Sequence, residues 1–436
     1  MLVCVSLTSL VANRRRHSCL SCLTIRELKV SSSHSAACEQ RETHAFLLRA
    51  AELLHRYGTP SYRLEGVMSK VADSLRVSSV FLYTPTALVI ALGSGAEERT
   101  YLRRVDSGDI DISKVLAFDA TLEDLEAGKI SIAEAAAGLE TAASAPATFN
   151  LPVSLLAAAV ACAGVAVIFG GSMMDTIVTG IFGCVIAWVI TLYQRSFAQR
   201  GWLEPVLGFT AAIAAFLVAQ WVPVNDRLIT LATLILPIPG LTLTIALTEL
   251  ASGHLSSGSA RLAGATVNLF TLVVGVAIAW RLSGVWVQPV QPMMKALPEW
   301  CLWIAVTLTP LAFSVVFKAP TSQWPAILLV VVSGFVASRL AGSMAGPEVG
   351  AFVGALVVGC GSNIYARFLN RPAMVPQTPG LMILVPGSIG YKSLTAMVES
   401  NTIQGVELAF SMSIVGVALV GGLLLANQII SPKRIL

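Results

Sequence analysis

The sequence predicts an α-helical polytopic membrane protein. It has about ten transmembrane helices, arranged as two five-helix inverted repeats behind a small N-terminal cytoplasmic α+β domain. Three observations predict this. The 436 residues are 55% hydrophobic and only 12% charged, with a mean hydropathy of +0.75, whereas a soluble domain carries about 25% charged residues. The charges are unevenly spread: residues 1–140 hold 16 Lys/Arg and 17 Asp/Glu, and residues 141–436 hold 13 and 8. After residue 150 come ten apolar runs, most near the roughly 20 residues that a helix needs to span a bilayer. The net charge of +4 is too small to indicate a nucleic-acid partner.

The opening stretch "MLVCVSLTSLVANRRRHSC" places its arginines after the apolar run, the reverse of a secretory signal. Residues 1–40 are therefore expected to be a disordered tail. The eight cysteines are scattered between this tail and the apolar runs, which is no disulfide framework. Cys19 and Cys22 form a single C-x-x-C pair without the second pair of a zinc site, so no metal is expected.

Residues 41–145 read as the α+β domain. "RETHAFLLRAAELLHRY" has helical periodicity and stops at Gly58, and a second helix follows Pro60. "SVFLYTP", "ALVIALG" and "TYLRRVDS" are short β-branched and aromatic runs between turn residues. From Ile112 to Ala143 the helical pattern returns. His44 and His55 lie about three turns apart on one helix, too far to share a metal. Asp106, Asp109 and Asp111 lack the glycine and closing glutamate of a calcium loop and read as a solvated loop. Downstream, "GHLSSGS" has the glycine spacing of a phosphate-binding loop without its lysine. No nucleophile sits beside a base, so the chain reads as a non-enzyme without cofactor. The rival reading is a membrane-anchored hydrolase or binding module.

The apolar runs are 151–170, 174–193, 205–222, 228–249, 262–280, 300–317, 324–341, 347–366, 379–397 and 408–429. The polar connection 281–300 divides them into halves of five, 150–281 and 300–430. An odd number per half makes the halves cross the membrane in opposite directions. With the soluble domain inside, Arg195, Arg200, Arg261, Lys318, Arg367, Arg371, Lys433 and Arg434 also fall inside. The positive-inside bias then puts both termini in the cytoplasm.

Two runs contain helix breakers. "LATLILPIPGLTLTIAL" carries Pro237, Pro239 and Gly240, and "PGLMILVPGSIGYKSLTAM" carries Pro379-Gly380 and Pro386-Gly387. At an offset of 147 residues, Pro239-Gly240 falls on Pro386-Gly387. A proline inside a helix costs about 3 kcal/mol, and irregular backbone in a bilayer survives only against protein or water. One such run could be a simple kink. Two at matching positions of two halves point to a transporter binding site. Half-helices starting at Gly240 and Gly387 would turn their N-terminal partial positive charges towards an anion. Thr242 and Thr244 after the first break, and Ser388 and Tyr391 after the second, offer hydroxyls. Lys392 could snorkel outwards or meet a substrate carboxylate. Asp175 reads as a helix cap or a gating and proton residue. Glu249, at the inner end of its span, is expected to face the cytoplasm. Gly346, Gly350 and Gly354 form a close-packing face, and Asn363 below them is a candidate polar ligand.

"RYGTPSYRLE", "VFLYTPTALVIAL", "FGGSMMD" and "LPIPGLTLTIALTELASGHLSSGSARL" resemble the threonine/serine exporter family, and "RPAMVPQTPGLMILVPGSIGYKSL" resembles its C-terminal domain. In some bacteria the two halves look like separate partner proteins. The resemblance covers nearly everything after residue 40. It implies a ten-span, multi-pass protein of the bacterial cytoplasmic (inner) membrane that exports small hydroxy-amino acids with protons as the coupling ion. Split relatives are linked to export of dicarboxylates such as succinate, which is the alternative substrate class. The matched motif residues are Gly170, Gly171, Ser172, Asp175, Pro239, Gly240, Pro379, Gly380, Pro386, Gly387 and Tyr391. The expected partners are a small amino-acid or carboxylate substrate, protons and the lipid bilayer, with a homo-oligomer left open. The expected substrate-binding residues are Pro239, Gly240, Thr242, Thr244, Pro386, Gly387, Ser388, Tyr391 and Lys392. Gating or coupling is expected from Asp175, Glu249, Pro379, Gly380 and Asn363.

Overall fold

Breakers and caps divide the N-terminal region. The computed structural model describes residues 40–95, 98–105, 108–196, 201–284, 297–384 and 387–432. Helix α1 (40–56) ends at Gly58, whose φ of +89° is a conformation that side-chain-bearing residues avoid. Pro60 is extended and starts α2 (Ser61–Ser74). Strands β1 (Ser79–Thr84), β2 (Ala87–Leu92) and β3 (Arg99–Arg104) form an antiparallel meander, with Thr84 facing Ala87 across the tight first turn. Asp111 caps α3 (Ile112–Glu126), and a reciprocal Ser131–Glu134 capping box starts α4 (Ile132–Ser144). Leu47, Leu54, Leu64, Met68, Tyr83, Leu88, Phe118 and Leu139 close one core between helices and sheet. Asp111 departs from the expected solvated loop: it is 2% exposed and pairs with Lys318 at 3.4 Å. Asp109 accepts from Gln194, and Asp106 lies outside the described residues.

The remaining helices are α5 (Leu151–Ile168), α6 (Met173–Ser196), α7 (Leu203–Ala219), α8 (Asp226–Thr233), α9 (Gly240–Ala251) and α10 (Leu255–Ser283) in the first half. The second half holds α11 (Glu299–Val316), α12 (Trp324–Ala345), α13 (Pro347–Leu369), α14 (Met374–Leu384), α15 (Gly387–Val398) and α16 (Thr402–Ile429). Among the described residues, eight spans are long and apolar enough to cross a membrane, one of them Met374–Val398. Helix α7 is a shorter apolar helix, and α8 with α9 occupies the fourth expected run. The chain is therefore a mostly helical multi-pass membrane protein with a small sheet near its N-terminus. Outward-facing Trp202, Trp221 and Trp300, 76%, 80% and 63% exposed, stand near helix ends, where indoles suit the bilayer interface.

Small residues bring the helices together. A Cβ on Gly275 would lie 2.0 Å from the Pro205 carbonyl oxygen, and one on Gly422 would lie 2.3 Å from that of Phe352. Helices α7 and α10 thus pack backbone to backbone, as do α13 and α16. Gly350 and Gly354 press likewise on Ser338 of α12, whereas Gly346, expected on the same face, forms the turn between α12 and α13 with a φ of +99°. The contacts of α9 with α10 and α16 are matched by those of α15 with α16 and α10.

Candidate functional site

Helix α8 ends at Thr233, and the chain passes through turns until α9 starts at Gly240. Proline accounts for the gap: Pro237 and Pro239 have no N–H to continue the ladder. Ile238 N–H reaches back to Leu234 O, and Gly240 N–H turns onto Ile238 O. Among the described residues, the N–H groups of Leu241 and Thr242 find no acceptor. They form an exposed dipole end inside the helical bundle. Thr244 is fully buried and spends its hydroxyl on Gly240 O, so Thr242 is the freer of the two threonines.

In the second half α14 ends at Leu384 and α15 starts at Gly387, as expected for a break there. Val385 and Pro386 lie outside the described residues. The expected first break at Pro379-Gly380 does not occur: α14 runs through Pro379 without interruption. Residues Met374 to Leu381 are all buried, and Gly380 packs on Val358 of α13. Tertiary packing there overrides the cost of one missing backbone bond.

The two breaks meet. A Cβ on Gly387 would lie 2.9 Å from Gly240 Cα and 2.8 Å from the Ile238 side chain. From this crossing α9 and α15 leave towards opposite ends of the bundle, α9 to the end that carries the α+β domain. Gly240 and Gly387 are buried, whereas Pro239, Thr242 and Ser388 are half-buried. Tyr391, one turn beyond Gly387, is 2% exposed with a hydroxyl that has no partner.

Other candidates fall elsewhere. Lys392 is exposed, with its Nζ 5.1 Å from the centre of the Phe169 ring. Asp175 is 1% exposed. It accepts from Ser172 N–H at 2.8 Å and Asn225 N–H at 2.7 Å. It thus caps α6 and ties that cap to the start of α8. Asn363 donates to Asn427 Oδ1 and Ile430 O, fastening α13 to the end of α16 rather than approaching the crossing.

Glu249 does not face the cytoplasm as expected, because its carboxylate is completely buried. It accepts from Ser61 N–H at 3.0 Å, Ser257 Oγ at 2.8 Å and Arg261 Nε at 3.1 Å. The start of α2 thus sits against the end of α9, the positive end of one helix dipole meeting an anion at the negative end of another. Ser61 and Ser257 hydroxyls are 2.6 Å apart, His254 meets Glu65 at 3.1 Å, and Arg63 donates to Gln377 of α14. Ile112 N–H reaches Phe317 O, and Asn370 reaches Glu123. The α+β domain is therefore bolted to the end of α9 and the start of α14, one end of each broken span.

At the opposite end a cavity of about 210 Å³ opens between the two halves, lined by Asp226, Arg227, Trp280, Arg281 and Glu399. Arg227 at the start of α8 forms an ion pair with Glu399, just beyond α15. Its guanidinium stands 5.4 Å from the Trp280 ring centre. Sequence reasoning missed these residues. Their signal was a charge beside each outer span end, which alone cannot pair residues so distant in the chain.

A threonine/serine exporter family model matches residues 45–283, and a second, described as Threonine/Serine exporter, ThrE, matches residues 302–429. Among curated proteins, the chain is 28% identical over 84% of its length to pheromone-regulated membrane protein 10 of Eremothecium gossypii, and covers 51% of that protein. It is 24% identical over 85% of its length to the protein of that name in Saccharomyces cerevisiae, covering 49% of it. An uncharacterized Schizosaccharomyces pombe protein is 23% identical over 87% of this chain, which covers 51% of it. The chain thus spans about half the length of these relatives. No solved structure matches. Two family models that together take in both membrane halves and most of the α+β domain place the chain in the threonine/serine exporter family.

Proposed function

We propose that the protein is a proton-coupled secondary transporter that exports threonine, serine or a related small hydroxy-amino acid, with its substrate passing the crossing of the two broken spans. One observation carries the reading: Gly240 and Gly387, each the first residue of a half-helix, pack against each other between the halves. Unbonded N–H groups at Leu241 and Thr242 suit a carboxylate there, and the half-buried hydroxyls of Thr242 and Ser388 suit a polar side chain. The matched packing of α9 and α15 supports two inverted repeats, 150–281 and 300–430. The domain 41–145 then serves as a cytoplasmic docking element rather than as a hydrolase, and both termini are cytoplasmic. Glu249 is the coupling candidate, as a buried carboxylate between α9 and the docked domain, while Asp175 holds the outer turn. The bacterial cytoplasmic membrane is inferred from the resemblance, and the curated relatives named above are fungal.

The test is accumulation of threonine, serine and succinate in cells fed dipeptides or succinate, with and without the protein. Export of the hydroxy-amino acids, lost when Pro386-Gly387 becomes Ala-Ala while membrane insertion persists, is the expected result. Unchanged export by that variant would sink the site, and export of succinate alone would replace the substrate class.

A further inference from the structure

The cavity at the outer end carries four charged side chains, two of each sign: Asp226, Arg227, Arg281 and Glu399. Arg227 and Glu399 neutralise each other in an ion pair that joins the start of α8 to the segment just after α15. Arg227 is held further by the Trp280 ring. This leaves one cation and one anion. Arg281, at the end of α10, is exposed and has no ion-pair partner among the described residues. Asp226 is 8% exposed and, among the described residues, accepts only the backbone N–H groups of its own helix start. A carboxylate has about four lone-pair sites, so it retains capacity for a further donor.

Two uncharged donors lie close by. The Tyr391 hydroxyl and the Trp280 indole N–H are both buried without a partner. Tyr391 packs in one cluster with Trp280, behind the residues that line the cavity. Buried donors are nearly always satisfied in native structures, and Trp280 lines the cavity, so its unpartnered indole N–H is a donor that a ligand there could meet. The volume of about 210 Å³ is below the roughly 300–1,000 Å³ of pockets for drug-sized ligands, and fits a molecule of amino-acid size.

We infer that this cavity is an outer substrate site for a zwitterionic α-amino acid, with Arg281 taking the carboxylate and Asp226 the ammonium group. The inference rests on the exporter reading and refines it. A dicarboxylate would satisfy Arg281 but meet Asp226 with like charge, which disfavours it. The Arg227–Glu399 pair is the clasp over the site, and it must part or swing when the amino acid leaves.

The test uses the full chain in lipid nanodiscs, with equilibrium binding of labelled L-threonine. Competitors are L-serine, N-acetyl-threonine, threonine methyl ester and succinate. Serine should compete, and each derivative lacking one charge should compete at least about tenfold less well, the loss expected when one charged contact is removed. Asp226→Asn and Arg281→Gln should each weaken threonine binding by a similar factor. Both variants must elute as monodisperse protein, and Glu299→Gln, outside the cavity, serves as the folded control. Succinate competing as well as serine, or threonine binding unchanged in both variants, would overturn the inference. Threonine transport that persists alongside that result would leave the exporter reading standing. Absence of both binding and transport for every probe would remove both.

Discussion

At Gly387 a single hydrogen atom in place of a side chain lets two broken helices touch. An alanine there would put Cβ within 2.9 Å of Gly240 Cα, and such overpacking costs about 1–3 kcal/mol. Gly387→Ala is expected to insert in the membrane and lose most export, measured as intracellular threonine in dipeptide-fed cells. Gly170→Ala is an unsuitable control despite its open surroundings, because its φ is +83°. Gly264→Ala, on α10 with nothing within 4 Å of the added carbon, should export normally. A second residue-scale prediction concerns His55, which is 2% exposed and holds Pro85 O through Nε2. Burial lowers its pKa below 6.5, so the folded domain keeps it neutral where the unfolded chain would take a proton. Stability is fully present above about pH 6.5 and is lost as pH falls through the lowered folded value. Thermal melting of the full chain should show the domain transition moving down between about pH 6.5 and 5, less steeply in His55→Gln. These residues also show how far the sequence could be read. Pro239-Gly240 and Gly387 were legible because a missing N–H and a missing side chain act locally. Glu249 was not, because the N–H that holds it belongs to Ser61, 188 residues away. Pro379 misled for the same reason, since the burial that keeps α14 continuous comes from elsewhere in the chain.

At the scale of elements, the junction of α2 with α9 joins a helix start to a helix end through one buried carboxylate. Removing one partner of a buried ion pair costs about 3–5 kcal/mol, because the other charge stays uncompensated. Glu249→Ala leaves Arg261, 14% exposed, in that position and removes the acceptor of Ser61 N–H. Hydrogen exchange should then accelerate at Ser61 to Leu64 and leave β1 and β2 unchanged. Equal acceleration across the whole domain would mean that Glu249 supports folding rather than docking. Asn150 accepts an N–H at the start of α5, where the expected run began, whereas α16, capped by Asn401, starts at Thr402, six residues before its expected run. The early start of α10 at Leu255 was missed because its first turns are polar, and polarity there reflects contact with the α+β domain rather than the end of a helix.

At the scale of the whole molecule, one end of the bundle holds an open cavity while the opposite end, the inner one in the proposed orientation, is covered by the docked domain. A transporter must reverse this arrangement to load from inside, by moving one packed body against another. The Ser61 and Ser257 oxygens, 2.6 Å apart, give a way to test whether the domain moves. A Ser61→Cys/Ser257→Cys pair should be oxidised readily, stop export when oxidised, and regain it with a reductant. Export that continues through a verified cross-link would show that loading does not need this contact to open. The fold class was legible from composition and run length, because a bilayer selects for both. The close packing inside each half was not, since interlocked glycines such as Gly275 and Gly422 resemble any other glycine in an apolar run.

The bolts between the α+β domain and the bundle also bear on how the molecule is assembled. Arg63 is separated from Gln377 by 314 residues, and Glu123 from Asn370 by 247. During synthesis the N-terminal domain leaves the ribosome while the surface it will occupy has not yet been translated. Its own core of helices and sheet allows it to fold alone and wait, as domains generally fold as units from the N-terminus. Docking is then completed only once the second half has entered the bilayer, and a chain truncated before Gln377 would carry a finished domain with only part of its seat, the part on Glu249 and Ser257.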